Sequence, residues 1–143
     1  MIERPRREQF RHFCRLQTRW GDVDRIGHVN NAKYFTYDEN VRIDYFEQRL
    51  AAAAQGSHII LARIACDFLE QLHHPAVIDY AMRVTRIGRS SFGTQGALFV
   101  GDTCHARTEG VVAWFDYAAQ KTAPIPEAVR TVIRDFELVK PAE

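Results

Sequence analysis

The fold is decided by residues 32–50, which read AKYFTYDENVRIDYFEQRL. Apolar side chains recur here at spacings of three and four, which is the helical repeat. One stripe consists of Ala32, Phe35, Glu39, Ile43, Phe46 and Leu50, and a second of Tyr34, Tyr37, Val41 and Tyr45. Together they are wider than the stripe of a surface helix, so we expect a long helix wrapped by other structure along much of its length. Asn30 or Asn31 is the expected N-cap.

The segments on either side of this helix alternate apolar and polar residues, which is the pattern of strands. The predicted strands are residues 12–20, 59–70, 77–87, 91–100 and 111–117. Gly88 and Gly101 predict hairpin turns, so we expect the last four strands to form an antiparallel meander. A short helix is predicted from near Pro126. The sequence therefore predicts an α+β fold, a curled antiparallel sheet of about five strands around one long central helix.

Length and composition limit the class of protein. The chain has 143 residues, which fits a single domain over 1–143. Lys and Arg number 19 against 18 Asp and Glu, so no concentrated basic surface for nucleic acid is expected. Neither a membrane-spanning run nor the apolar core of a secretory signal is found in the sequence. Three widely spaced cysteines predict reduced thiols in a cytoplasmic protein, without a disulfide framework or a zinc site.

Arginine is concentrated near the N-terminus. The six residues are Arg4, Arg6, Arg7, Arg11, Arg15 and Arg19. They are consistent with a phosphate-attracting rim, with an organelle presequence, or with solvated side chains at a strand edge. Glu3 and Glu8 weaken the presequence interpretation, and we favour the solvated edge.

The candidate chemistry lies in residues 20–34, WGDVDRIGHVNNAKY, just before the helix. A helix N-terminus offers unpaired N–H groups and the positive end of the helix dipole, which suit an oxyanion developing on a carbonyl. A carboxylate beside it can act as general base or nucleophile. An Asx-rich turn that only caps the helix is the alternative interpretation, and composition alone favours it.

This loop resembles the signature of hotdog-fold acyl-CoA thioesterases of the 4-hydroxybenzoyl-CoA thioesterase branch. The matching residues are Asp24, Gly27, His28, Val29, Asn30, Asn31 and Tyr34, and the resemblance continues in RIGRSSF at 86–92 and PIPEAVR at 124–130. It implies that Asp24 attacks the thioester or activates water. It also implies that the N–H of Asn31, or of a neighbour, orients the carbonyl. His28 would orient substrate or water, and Tyr34 would pack against the acyl chain or the core.

Two other carboxylates compete with Asp24. Asp22 is two residues away, and in an extended segment both side chains would point the same way. Glu39 lies in the first apolar stripe, and another hotdog branch places its catalytic carboxylate on this helix. Arg42 could pair with Glu39 at i+3. The resemblance selects Asp24, and we interpret Asp22 and Glu39 as supporting residues.

The segment Arg86–Phe92 is a candidate for contacts with coenzyme A. Arginine and hydroxyl side chains suit phosphate recognition. The resemblance implies that Arg89, Ser90 and Ser91 contact the nucleotide or the pantetheine of coenzyme A. Arg86 fits a polar hairpin tip equally well.

The resemblance implies a cytoplasmic acyl-CoA thioesterase that releases a free acid and CoA. We expect no metal and no cofactor apart from the coenzyme A of the substrate, and we interpret His73 and His74 as a polar turn. A homodimer or homotetramer is expected, with no nucleic-acid or membrane partner. An acyl-carrier-protein thioesterase, with the N-terminal arginines as docking face, and a non-catalytic acyl-CoA-binding module are the alternatives. A hotdog hydratase or dehydratase fits less well, because the helix contains no His.

Overall fold

A computed structural model describes residues 2–143. Its elements are β1 (His12–Gln17), α1 (Asn31–Tyr45), β2 (His58–Phe68), β3 (Val77–Ile87), β4 (Ser91–Val100), β5 (Thr103–Asp116), β6 (Lys121–Thr122) and α2 (Glu127–Phe136). A π-helical turn, Phe46–Leu50, and a 3-10 turn, Ala51–Ala53, continue α1, so the central helix has 23 residues. The predicted α+β architecture is confirmed.

The sheet is antiparallel, with strand order β1-β3-β4-β5-β2 and β6 paired to the end of β5. The predicted meander is therefore wrong for β2, which pairs with β5 and forms an edge of the sheet. The stretch after the central helix delivers the chain to the far side of the sheet, and no local pattern encodes that choice of neighbour. The two extreme strands, β1 and β2, thus leave free edges.

The face of α1 that packs on the sheet is the second of the two predicted stripes. Its buried residues are Tyr34, Tyr37, Asp38, Val41, Arg42 and Tyr45. The prediction that the first stripe is buried is wrong for Ala32, Phe35 and Glu39, which are exposed. Phe46 and Leu50 are nevertheless buried; they lie in the π-helical turn that follows α1.

Asp38, and not Glu39, is the carboxylate that α1 buries. Its Oδ2 lies 2.6 Å from Arg42 Nη1, so the predicted Glu39–Arg42 pair is wrong and the pair is Asp38–Arg42. Thr108 and Tyr80 donate to Asp38 Oδ1 at 2.6 Å and 3.1 Å. This network joins the middle of α1 to the sheet and fixes the rotation of the helix.

Candidate active site

The segment before α1 folds into a short closed loop. A 3-10 turn, Trp20–Asp22, is followed by a bridge between Val23 and Val29. Gly27 has φ of +94°, a conformation that a side chain would disfavour, and its N–H donates to Asp24 O at 3.2 Å. The sequence thus folds the chain back on itself and holds Asp24 against the residues that precede the helix.

The Asp24 carboxylate has one oxygen engaged and one available. Its Oδ1 accepts from the backbone N–H groups of Ile26 at 2.8 Å and His28 at 3.2 Å. The other oxygen accepts no hydrogen bond within residues 2–143. Asp24 is half-buried and lines a cleft at the N-terminus of α1, so the free oxygen can meet a water molecule or an acyl carbon.

The N-terminus of α1 contributes an unpaired N–H to the same place. Asn30 is the N-cap, and its side chain accepts from the N–H of Ala32 at 2.9 Å. The N–H of Asn31 donates to no acceptor in the described part of the chain. It lies at the positive end of the helix dipole, which favours partial negative charge on a carbonyl oxygen.

Asp24 and Asn31 both line one cavity of about 390 Å³. It is lined by Asp24, His28, Val29, Asn31 and Tyr34 on one side and by residues 68–72 on the other. The opposite wall is attached to the loop by a hydrogen bond from Val29 N to Leu72 O at 2.8 Å and by the backbone bridge between His28 and His73. The cavity therefore places a carboxylate and a polarising N–H around a space large enough for an acyl group.

The aromatic floor of the cavity consists of Tyr34 and Phe68 and carries no charge. Tyr34 is buried and meets Phe68 edge to face, with ring centroids 5.0 Å apart. Burial, aided by the neighbouring Cys66 thiol, raises the pKa of Tyr34 to about 12, so the phenol keeps its proton at ordinary pH. This floor suits the apolar part of an acyl group.

Asp22 lies outside the cavity. It is fully buried, and its Oδ2 accepts from Tyr37 OH at 2.6 Å and from Arg19 N at 3.0 Å. The expectation that Asp22 and Asp24 point the same way is wrong, because Asp22 ends a 3-10 turn and is not in an extended segment. Both oxygens of its carboxylate have hydrogen-bond partners in the protein, so Asp24 is the aspartate of the loop that keeps an oxygen without one.

Arg89, Ser90 and Ser91 lie at the opposite end of the sheet from Asp24. The loop end of the sheet holds Gln17, paired with Val77 at the start of β3, whereas residues 88–91 follow the end of that strand. An 11-residue strand separates these ends by about 33 Å. One copy of the chain therefore brings together Asp24, His28, Asn31 and Tyr34, but not Arg89, Ser90 and Ser91.

The arginines near the N-terminus are largely paired with acidic side chains. Arg7 and Arg15 both contact Asp79, at 2.9 and 3.0 Å, and Arg4 contacts Glu70 at 2.9 Å. Such exposed pairs contribute little stability, but they reduce the positive charge that an acidic partner would need.

The sequence analysis did not identify residues 68–72 as part of the site, nor the contact between His73 and His28. Phe68 ends β2, and the stretch after it joins the site only through long-range backbone pairing, so no local signal identified it. The rings of His28 and His73 pack edge to face, 4.8 Å apart. Among residues 2–143 there is no metal-binding cluster of His, Cys, Asp or Glu. That no metal or cofactor takes part stays a prediction.

Comparison with known proteins identifies the architecture. The PA5185 protein of Pseudomonas aeruginosa strain PAO1 is 28% identical and superposes with a TM-score of 0.83, over 99% of this chain and 100% of that chain. A thioesterase from Thermus thermophilus, solved with coenzyme A and Zn, is 34% identical with a TM-score of 0.81, over 91% of this chain and 97% of that chain. These superpositions show that the architecture is the hotdog fold.

Residues 18–133 match the thioesterase-like superfamily, and the chain belongs to this family. YsmA, an uncharacterized protein of Bacillus subtilis (strain 168), is 29% identical over 83 residues, which are 57% of this chain and 56% of that protein. This chain thus spans little more than half the length of YsmA. Family membership and the thioesterase neighbour support a thioester hydrolase. The narrower 4-hydroxybenzoyl-CoA branch stays a prediction.

Proposed function

We propose that this protein hydrolyses acyl-CoA thioesters to a free acid and CoA. The observation that carries the proposal is that one cavity is lined by Asp24, which has a free carboxylate oxygen, and by Asn31, which has an unpaired N–H. Coenzyme A is bound in the Thermus thermophilus thioesterase to which this chain is similar, which supports a CoA thioester as substrate.

The proposed chemistry divides the work between these two groups. The Asn31 N–H binds the thioester oxygen and stabilises the negative charge that develops on it. Asp24 either attacks the carbonyl carbon, giving an anhydride that water then cleaves, or removes a proton from the attacking water. In both cases the C–S bond breaks, the acyl group gains a water oxygen and CoA leaves as the thiol. His28, on the cavity wall, orients the water or the substrate.

A panel of acyl- and aryl-CoA thioesters with thiol detection tests this function. We expect saturable thiol release with at least one member, at a rate that the Asp24→Asn variant does not reach. Saturable binding without thiol release by the wild-type protein would instead indicate the non-catalytic module. Activity confined to acyl-carrier-protein thioesters would contradict the CoA substrate. The pairing of Arg4, Arg7 and Arg15 with acidic residues argues against that partner.

We also propose a homodimer formed through the free edge of β2. This edge strand exposes Ile60, Leu61 and Phe68 to 37%, 36% and 43%, and an open apolar edge invites pairing with another chain. The Phe68 end of β2 lies at the cavity, while the His58 end pairs with Phe115, near the 88–91 turn. Antiparallel pairing of two β2 strands would carry Arg89 of a second copy toward Asp24.

The dimer is testable by light scattering. We expect a mass of two or four times the 16.5 kDa chain at micromolar concentration. Leu61→Lys should shift the protein toward monomer and lower kcat/KM for CoA thioesters, because a lysine on a free edge opposes pairing. Leu138→Lys, at another exposed apolar residue, is the control and should leave the mass unchanged. A wild-type mass near 16.5 kDa would contradict the dimer.

Arg89 gives a separate test of the coenzyme. If its guanidinium meets a phosphate of CoA, Arg89→Ala should lower kcat/KM by about ten- to a hundredfold, mainly through KM. The loss should shrink with the N-acetylcysteamine thioester of the same acid, which lacks the nucleotide. Equal losses on the two substrates would exclude a nucleotide contact.

The proposed enzyme fits a reducing compartment such as the cytoplasm. Cys14, Cys66 and Cys104 are free thiols. None of the helices in residues 2–143 has the length and apolarity to cross a bilayer.

A further inference from the structure

We propose that Asp22 and Tyr37 are positioning residues that hold the Asp24 carboxylate in register with the Asn31 N–H. This assignment rests on the proposed function, since it gives the pair a role in the same reaction. Neither residue lines the cavity, so both act through the loop and the helix.

Asp22 is the point at which the Asp24 loop is attached to α1. Its carboxylate accepts from Tyr37 OH at 2.6 Å, and Tyr37 lies more than one helical turn beyond Asn31. Its backbone oxygen accepts from Asn30 N at 2.8 Å, at the cap of the same helix. Asp22 thus contacts α1 both at its N-cap, Asn30, and at Tyr37. Asp24 lies two residues after Asp22 in the chain.

The rest of the loop is bonded mainly to itself. Asp24 N donates to His28 O at 2.8 Å, Gly27 N donates to Asp24 O, and Val23 bridges Val29. These contacts keep the shape of the loop, and the contacts of Val29 with Leu72 and of His28 with His73 attach it to the opposite wall, but none of them reaches α1. The bond from Tyr37 does, because it joins the 3-10 turn at the start of the loop to a rigid helical position.

The ionisation states of Asp22 and Tyr37 favour a stable hydrogen bond between them, and we call this bond the clamp. Burial alone would raise the pKa of Asp22, but the hydrogen bonds from Tyr37 and Arg19 outweigh it and the pKa is lowered. Burial and the bond to Asp22 raise the pKa of Tyr37. At ordinary pH the carboxylate is therefore ionised and the phenol is protonated, which is the arrangement of a strong charge-assisted hydrogen bond.

A matched pair of variants tests the clamp. Tyr37→Phe removes only the hydroxyl that reaches Asp22, and Tyr45→Phe removes a hydroxyl that donates to the buried Glu137, also at 2.6 Å, at the other end of α1. We expect both to lower the melting temperature. Only Tyr37→Phe should lower kcat, by about ten- to a hundredfold with KM changed less than about twofold, because a small misplacement of a reacting group is costly.

Hydrogen exchange gives a second measurement that needs no substrate. In Tyr37→Phe the N–H groups of Ile26 and His28, which donate to Asp24 Oδ1, should exchange faster than in wild type, and in Tyr45→Phe they should not. Unchanged kcat and unchanged exchange in Tyr37→Phe would overturn the assignment, as would equal kcat losses in the two variants. If wild type hydrolyses no thioester, the proposed function fails, and the exchange rates alone decide whether the clamp exists.

Discussion

Asp24→Asn should lower kcat by about two to four decades, because loss of a general base or nucleophile has an effect of this size. Asparagine keeps the shape of the side chain and can still accept from the N–H groups of Ile26 and His28. The substitution therefore removes the charge without opening the loop, and KM should change little. Steady-state thiol release on the best substrate of the panel measures the effect, with circular dichroism as the check of folding.

Glu39→Gln is the control for this variant, since Glu39 is an exposed carboxylate on α1. It should keep most of the wild-type kcat. Asp24→Asn with near-wild-type turnover would contradict the assigned mechanism. An inactive Glu39→Gln would instead move the chemistry to the helix, as in the other hotdog branch.

Arg42→Met should destabilise the fold by about 3–5 kcal/mol, because it leaves a buried carboxylate without its ionic partner. Arg42 and Asp38 are both buried, and their 2.6 Å contact joins two residues of α1 on the face that packs on the sheet. Thr108 and Tyr80 would still donate to Asp38, but neither can neutralise its charge. Urea unfolding followed by far-UV circular dichroism measures the free energy of unfolding.

The loss of stability in Arg42→Met should depend on pH. Burial raises the pKa of Asp38, although hydrogen bonds from Thr108 and Arg42 and the charge of Arg42 oppose the rise. A carboxyl with a raised pKa in the folded state favours folding most below its unfolded pKa, and this contribution is lost as pH rises through the folded pKa. Removal of Arg42 raises that pKa further, so the variant should be closer to wild type near about pH 4 than near about pH 8.

The double variant Asp38→Asn/Arg42→Met separates charge from packing. The asparagine side chain in this variant still accepts from Thr108 and Tyr80 and carries no charge, so it should recover part of the stability lost in Arg42→Met. A loss below about 1 kcal/mol in Arg42→Met, at every pH, would show that the buried carboxylate of Asp38 does not need Arg42 as its ionic partner.

Local patterns were sufficient for much of the fold. β3 and β4 have the predicted bounds, and Asn30 caps α1, because strand alternation and helix capping depend on neighbouring residues. The prediction for the face of α1 was wrong where it placed Glu39 inward. Tyr34, Tyr37 and Val41 define a face on which position 38 also lies, and the i to i+4 spacing from Asp38 to Arg42 could have identified the buried pair.

Contacts between residues far apart in the chain could not be predicted from the sequence. No sequence pattern in or around β2 specifies β5 as its neighbour. Likewise, no pattern around Leu72 indicates that its carbonyl accepts a hydrogen bond from Val29 N. The sequence of residues 20–34 identified four candidates that line one cavity in the structure: Asp24, His28, Asn31 and Tyr34. The proposed role of Arg89 would require a second copy of the chain, and both stay predictions.

The central claim is that the Asp24 carboxylate and the Asn31 N–H act on one carbonyl. A ketone analogue of an acyl-CoA, with CH2 in place of the thioester sulfur and a 13C-labelled carbonyl, tests it directly by NMR. We expect saturable binding, a downfield shift of the labelled carbon as the Asn31 N–H polarises the carbonyl, and changes in the amide signals of Asn31 and His28. A bound analogue whose carbonyl signal does not move, or whose amide changes lie away from the Asp24 loop, would contradict the account.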